Sequence, residues 1–278
     1  MRNIIVKTLD EALVLLNEGD YKLLAGGTDL MIQNRAWSNT LPKFKKDTLL
    51  IYNIEELKYI KEEEGFINIG SGMTLEDLKN HPLTPSLLVE ALGIMASPAI
   101  RNMATIGGNI GNASPAGDSL PVLYILNALV VVESVENTRI VPISDFITGP
   151  GKKAIQNNEM IVEIKIPIED FTNSSFQKVG GRKADAISKV SFAGVVEVKN
   201  NIIQDFRVAF GAVGPTVVRN QQLEKNVVGI TIDSFKENIQ KTIDEYSKVI
   251  RPIDDQRSNK EYRKTVALNL LKNFILTL

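Results

Sequence analysis

Apolar positions recur along this chain with two periods, 3.6 and 2, and the places where one gives way to the other mark its elements. Thr8 and Glu11 form a capping box, and Leu9, Ala12, Leu13 and Leu16 follow at helical spacing until Gly19. Residues 21–25 are short and largely apolar, the pattern of a buried strand. Residues 49–52 repeat that pattern, though so short a run also suits a buried helical turn. Between them, Thr28 or Asp29 caps a helix with Leu30 and Met31 pointing inward. Residues 57–60 and 66–69 flank Glu62, Glu63, Glu64 and Gly65 and predict a hairpin. Thr74 opens a short helix that ends before Pro82, and residues 85–95 predict a longer one with Leu87, Leu88, Ala91 and Met95 on one face. Residues 118–128 carry Leu120, Leu123, Tyr124 and Asn127 at helical spacing. Residues 130–132 and 139–141 pair as strands around a polar turn, and residues 159–167 alternate cleanly as one more strand.

Residues 167–175 are the most linker-like stretch, and the main boundary is expected there. Beyond it, residues 190–199 and 202–210 are two long strands across Asn200 and Asn201, residues that tolerate φ > 0 in a hairpin turn. Ile232, Phe235, Ile239, Ile243 and Tyr246 mark one amphipathic helix. A capping box from Ser258 to Glu261 starts a final helix through Tyr262, Val266, Leu270 and Phe274. The chain has no internal repeat or low-complexity segment.

Two stretches stand outside this periodicity. Residues 105–118 place Gly107, Gly108, Gly111 and Gly117 among Asn109, Asn112 and Ser114. Residues 24–30 have the same character: Leu24, Ala25, Gly26, Gly27, Thr28, Asp29 and Leu30 follow an apolar run and precede a predicted helix. Glycine takes φ > 0 without strain and lets another group approach closely. Backbone N–H groups left free at such a turn, and at the start of the next helix, favour an anion. Two such loops predict two grips on one long phosphate-bearing ligand; the structural alternative is a pair of tight turns. Neither loop has the Gly-x-Gly-x-x-Gly dinucleotide fingerprint or a Walker sequence, which speaks against a Rossmann unit and an NTPase.

Composition removes other chemistries. With 278 residues, 44% of them hydrophobic, the chain can bury one large core or two modest ones, and a net charge of −1 gives no reason to expect nucleic acid or an anionic membrane. There is no cysteine, so no disulfide, thiol nucleophile or cysteine-ligated iron–sulfur cluster belongs to this chain. No run approaches the roughly 20 apolar residues of a membrane span, and no signal peptide is evident, so a cytoplasmic location is expected. The one histidine, His81, precedes Pro82 in a polar turn and is read as a surface residue. No catalytic triad and no histidine metal site can be assembled around it, so neither a catalytic side chain nor a metal ligand is assigned. Chemistry, if there is any, then belongs to a bound cofactor.

The residues 25–30, then Thr105 to Ile110, Ala113, Ser114, Pro115 and Asp118, resemble the FAD-binding (medium) subunit of the molybdenum hydroxylases, the family of xanthine, carbon monoxide and nicotinate dehydrogenases. The similarity continues in order through residues 176–182, 209–216 and 255–263, and so covers nearly the whole chain. It implies an α+β fold: a PCMH-like FAD-binding domain over residues 1–168, with subdomains of about 1–54 and 55–168 holding FAD, then a carboxy-terminal domain of antiparallel sheet and helices over 173–278. It implies that residues 24–30 wrap the pyrophosphate and ribityl region through backbone N–H groups and the Thr28 hydroxyl. Ala104, Thr105, Gly108 and Asn109 would contact the flavin side. Asn112 and Ser114 would bond the phosphate and ribityl chain, and Asp118 would accept from a ribose hydroxyl, a role compatible with capping the helix it opens. Ile161 matches the apolar residue covering the isoalloxazine ring. Lys178 matches a lysine near that ring, where a cation stabilises charge on reduced flavin; a solvated strand lysine is the plain alternative. Arg257 and Arg263 are read as fixing the last helix.

By the same resemblance the chain is an oxidoreductase subunit that takes electrons from [2Fe-2S] clusters of a small partner subunit and passes them through FAD to NAD+ or another acceptor. A molybdopterin-binding large subunit would oxidise the organic substrate. The alternatives are a scaffold subunit that transfers no electrons and a vanillyl-alcohol-type oxidase, whose large substrate domain this chain lacks. The missing cysteines argue against the benzoyl-CoA reductase branch.

Overall fold

The computed structural model describes residues 2–38, 40, 43–183 and 185–278. The chain packs into two compact units, each made of separate stretches: Met1–Thr84, Ser97–Ala113 and Ala128–Pro167 form the first, and Pro85–Ala96, Ser114–Asn127 and Ile168–Leu278 the second.

The first unit holds two sheets. Strands β1 (Asn3–Ile5), β2 (Tyr21–Leu24) and β3 (Asp47–Leu50) form a parallel sheet in the order β1-β3-β2. Helix α1 (Leu9–Glu18) connects the first two strands. Thr8 caps it by accepting from the N–H of Glu11, and Glu11 accepts in return from the N–H of Lys7. Its buried residues Ala12, Leu13 and Leu16 join Val6, Leu49, Ile54 and Leu57 in one apolar cluster. Helix α2 (Leu30–Gln33) is a single turn after β2, and Asp29 makes no side-chain cap there.

The second sheet is antiparallel, in the order β4-β5-β10-β6-β7: Ile60–Glu63, Phe66–Gly70, Met160–Pro167, Leu129–Glu133 and Thr138–Pro142; between β7 and β10 lie the one-turn helix α8 (Ile143–Phe146) and a small hairpin of β8 (Ile147–Gly149) and β9 (Lys152–Lys153). The first arm of its hairpin departs from the sequence expectation. Leu57 lies in a one-turn 3-10 helix, and the strand begins three residues later and runs into the glutamates. The turn is left to Glu64 and Gly65, both at positive φ, the geometry a two-residue hairpin requires. Helix α3 (Leu75–Asn80) is capped by Thr74 as expected.

Strand β10 does not alternate cleanly. Ile161 pairs with Val132 and Glu163 with Val131, leaving Val162 as an extra residue in a β-bulge. The bulge puts Ile161 on the same face as Ile164, whereas strict alternation would have put it with Glu163 and Lys165.

In the second unit, β11 (Asn173–Val179), β12 (Val190–Lys199), β13 (Ile202–Gly211) and β14 (Val218–Arg219) form an antiparallel sheet in that order. Asn200 and Asn201 both take positive φ in the predicted turn. Strand β11 starts inside the stretch read as linker, where the Thr172 hydroxyl accepts from the N–H of Val198.

Helix α9 (Gln221–Lys225) follows β14, and the apolar face of this sheet packs on helices α10 (Ile232–Glu237), α11 (Ile239–Val249) and α12 (Lys260–Thr277). Phe192, Phe206, Phe210, Phe235, Tyr246 and Phe274 form a linked aromatic core, with ring centroids 5.3–6.2 Å apart. The helix expected over 232–246 is broken at Asn238, whose side-chain amide donates to the carbonyl of Ser234. The backbone N–H of Asn238 donates to the same carbonyl, which closes the first helix. The last helix is capped by Asn259, whose side-chain oxygen accepts from the N–H of Tyr262, rather than by Ser258, whose N–H donates to Asp255. Arg263 ties that helix to the carbonyls of Lys189 and Ala212 and to Asp255. Among the described residues no helix is long and apolar enough to cross a membrane.

Candidate functional site: a glycine-loop pair

The first unit brings residues 24–30 against the backbone that leads into the second glycine-rich stretch, which lies in this unit as far as Ala113. Gly26 lies so close to the other loop that a Cβ on it would sit 1.7 Å from the carbonyl oxygen of Met103 and 3.1 Å from the Cα of Ala104. A side-chain link adds to this. The Gln33 amide donates to Asp29 at 2.5 Å and to Asn112 at 3.3 Å. Gln33 was not among the sequence candidates, although its place four residues after Asp29 on a predicted helix is the spacing at which two side chains meet.

The second stretch is not the open loop its glycines suggested. After α4 (Ser86–Gly93) and the short α5 (Pro98–Arg101), residues Ile106–Asn112 form helix α6. Thr105 caps it by accepting from the N–H of Gly108 at 3.0 Å. The residue at positive φ is Ala113, which ends the helix, and not a glycine. The glycines serve close approach instead, since a Cβ on Gly107 would lie 2.6 Å from the Cβ of Ser71.

The amides opening α6 are also spent within the chain. Ile106 donates to Met73 and Gly107 to Ser71, while Leu75 donates to Ala104. Segment 71–75 therefore braces the loop, and Ser71 in turn donates to the carbonyl of bulge residue Val162.

The first loop is the opposite case. Gly27 sits at φ +69°, and the N–H groups of Gly26, Gly27, Thr28 and Asp29 donate to no other described residue. Consecutive unsatisfied amides at a turn form an anion-binding concavity. The first loop carries an unbroken run of free donors, and the Met103–Ala104 backbone supplies the wall against which it is held. Ile161 completes this side of the unit, its Cδ1 3.6 Å from where a Gly111 Cβ would be. A run of free donors at a turn fits the diphosphate of a dinucleotide such as FAD.

Nearby, Arg101 is buried and donates to Glu76 at 2.6 Å, and Lys79 also binds Glu76. The Glu76 carboxyl is held down to about 2, by the hydrogen bond from Lys79 first and that from Arg101 second.

Ser114, Asp118 and Lys178 belong to the second unit. The Ser114 hydroxyl accepts from the N–H of Ala116 in a local turn. Asp118 precedes helix α7 (Ser119–Ile125) but makes no side-chain cap, contrary to the expectation that it doubles as one. Its carboxylate is buried and bonded by Lys178 at 2.7 Å and Ser188 at 2.5 Å. Burial pushes this carboxyl above its usual range, with the Lys178 charge and both hydrogen bonds opposing the shift. Lys178 is therefore no solvated strand lysine. The far end of α7 is held by two arginines: Arg207 donates to the carbonyl of Ile125 and Arg219 to that of Tyr124. Arg207 is itself gripped by Glu169 and Asp205, and Arg219 by Glu224.

Residues 1–169 match the family model described as the FAD binding domain in molybdopterin dehydrogenase. The chain belongs to that family. As a FAD-binding flavoprotein of the xanthine and carbon monoxide dehydrogenase type, an oxidoreductase subunit, it also matches the carbon monoxide dehydrogenase flavoprotein C-terminal domain over residues 175–278. It is 36% identical to the nicotinate dehydrogenase FAD-subunit of Eubacterium barkeri over 238 residues, 80% of this chain and 78% of that one. It is 31% identical to the xanthine dehydrogenase FAD-binding subunit of Escherichia coli O157:H7 over 281 residues, 96% and 92% of the two chains. Among solved structures, a chain of carbon monoxide dehydrogenase from Hydrogenophaga pseudoflava superposes with a TM-score of 0.88 at 27% identity, covering 98% of this chain and 95% of that one. The α+β architecture of this FAD-binding family member agrees with the fold its sequence implied.

Proposed function

We propose that this chain is the electron-transfer subunit of a molybdenum hydroxylase complex, its FAD linking [2Fe-2S] clusters of a small partner subunit to NAD+ or another acceptor. A molybdopterin-binding large subunit completes the complex and oxidises the organic substrate. The observation that carries this reading is the run of amides from Gly26 to Asp29 that donate to no other described residue, braced against the Met103 and Ala104 backbone. These amides and the Thr28 hydroxyl hold the diphosphate, with Leu24, Ala25 and Leu30 shaping the turn. Ala104, Thr105, Gly108 and Asn109 line the flavin side, Asn112 and Ser114 serve the phosphate and ribityl chain, and Ile161 covers the ring. Asp118 accepts from a ribose hydroxyl. Bound FAD supplies the exchange between one-electron and two-electron carriers that no side chain of this protein performs. The lack of cysteine in this sequence supports clusters held by the small partner subunit. The end of β10 at Pro167 and the start of β11 at Asn173 support a boundary between domains at 1–168 and 173–278.

The test is reconstitution of the full chain with FAD, followed by reduction with NADH and, in the assembled complex, with substrate. A yellow protein whose visible absorbance bleaches on reduction is expected. A chain that stays colourless after reconstitution, or a flavin that stays oxidised under both reductants, overturns the reading.

A further inference from the structure

Asp118, Lys178 and Ser188 form one buried cluster in the second unit. Ser188 Oγ donates to Asp118 Oδ1 at 2.5 Å, and Lys178 Nζ donates to Asp118 Oδ2 at 2.7 Å and to the carbonyl of Ile94 at 3.2 Å. The Lys178 and Asp118 side chains are 7% and 6% exposed, and Ser188 is 1% exposed. The placement of Ser188 follows from the backbone. The N–H of Lys189 donates to the carbonyl of Val179, closing the 180–188 connection so that Ser188 returns beside Lys178. Asp118 spends neither oxygen on its own helix. Each oxygen has one donor, and an ionised carboxylate offers about four lone-pair sites, so acceptor capacity remains for a ligand hydroxyl.

An ammonium held by a buried carboxylate and a carbonyl acts as one end of a neutral pair, not as a lone cation facing a ring. We infer that Lys178 and Ser188 are positioning residues: they fix the Asp118 carboxylate to receive a sugar or polyol hydroxyl of the dinucleotide, and Lys178 acts through Asp118 rather than on the flavin. This inference rests on reading the chain as a FAD-binding subunit, and it assigns Ser188 a part that the family resemblance did not give it.

The experiment is a double-mutant cycle on the full chain, reading the FAD dissociation constant by flavin fluorescence and the flavin midpoint potential by dye equilibration. Lys178→Met is expected to weaken FAD binding about tenfold or more in the wild-type background, the size of a hydrogen bond to a charged group. In the Asp118→Asn background the same change should cost less than about threefold, because the residue through which it acts is already neutral. Ser188→Ala should weaken binding about threefold to tenfold and Ser188→Thr should restore it, with the midpoint potential unmoved by Lys178→Met. If Lys178→Met alone fails to fold, the Asp118→Asn/Lys178→Met chain leaves no unpaired buried ion, and the Ser188 pair keeps the test decisive. Equal losses for Lys178→Met in both backgrounds, or a potential that shifts with it in either, overturn the inference. Tight FAD binding by the wild-type chain with such additive variants overturns this inference alone. A wild-type chain that binds no FAD overturns the functional reading and this inference with it.

Discussion

Replacing Gly26 by alanine tests whether the meeting of the two loops makes the site. The new Cβ would lie 1.7 Å from the Met103 carbonyl oxygen and 2.5 Å from its carbon, both backbone atoms that cannot swing aside. An ordinary carbon–oxygen contact of about 3.3 Å requires the loops to part by roughly 1.6 Å. Overpacking of this kind costs about 1–3 kcal/mol, and the parting moves Ala104 and Thr105 away from the free amides of the first loop. Gly26→Ala should therefore lower the urea unfolding free energy of the apoprotein by about 1–3 kcal/mol. It should weaken FAD binding at least about tenfold by flavin fluorescence titration, since ligand groups must fit both loops within about 0.5 Å. Gly93→Ala is the control, because a Cβ there meets nothing within 4 Å and both readouts should stay at wild-type values. A Gly26→Ala chain with wild-type stability and wild-type FAD affinity would refute the reasoning, because the loops would then not need to touch.

Gly27→Ala should destabilise by about 1–2 kcal/mol and Gly27→Asn by less, in thermal unfolding, because the +69° φ penalises a Cβ and asparagine tolerates it best. Glu76→Gln should flatten the acid limb of stability. The Glu76 carboxyl falls from its ordinary 4.5 to about 2 on folding, so its contribution is complete above about 4.5 and lost as pH drops towards 2. Urea midpoints measured across that window should converge for wild type and variant at the acid end, and parallel curves would contradict this. Arg219→Met leaves Glu224 buried without its guanidinium and uncaps Tyr124, so a loss of about 3–5 kcal/mol is expected in urea unfolding. Arg219→Met/Glu224→Met should recover most of that loss.

What the sequence showed well is what local chemistry decides. Thr8, Thr74 and the Asn200–Asn201 turn act as their side chains require, and the long strands of the second unit announce themselves by β-rich apolar runs. What it hid depends on distant partners. Gly107 reads as a loop residue because glycine disfavours helix, yet Ser71 presses so closely there that only glycine fits inside α6. The free amides were expected at both loops, but whether an N–H is spent depends on Ser71 and Met73, more than thirty positions away. Asp118 reads as a cap by position, whereas Lys178 and Ser188 claim its oxygens from sixty and seventy residues further on. The break at Asn238 was masked because the apolar spacing continues at helical intervals on both sides of it.

The extra residue at Val162 has a consequence for how this strand can change over time. Everything in β10 after the bulge counts in twos, and Ile161 reaches its side only because one position is out of step. Lengthening or shortening the strand by a pair of residues preserves that parity, while gaining or losing one residue turns an apolar side chain outward and a glutamate or lysine inward. Drift in length between Glu163 and Pro167 is thus confined to even steps, whereas at Val162 a single loss is tolerated: it would remove the irregularity and leave Ile161 opposite Val132, on the side it already occupies.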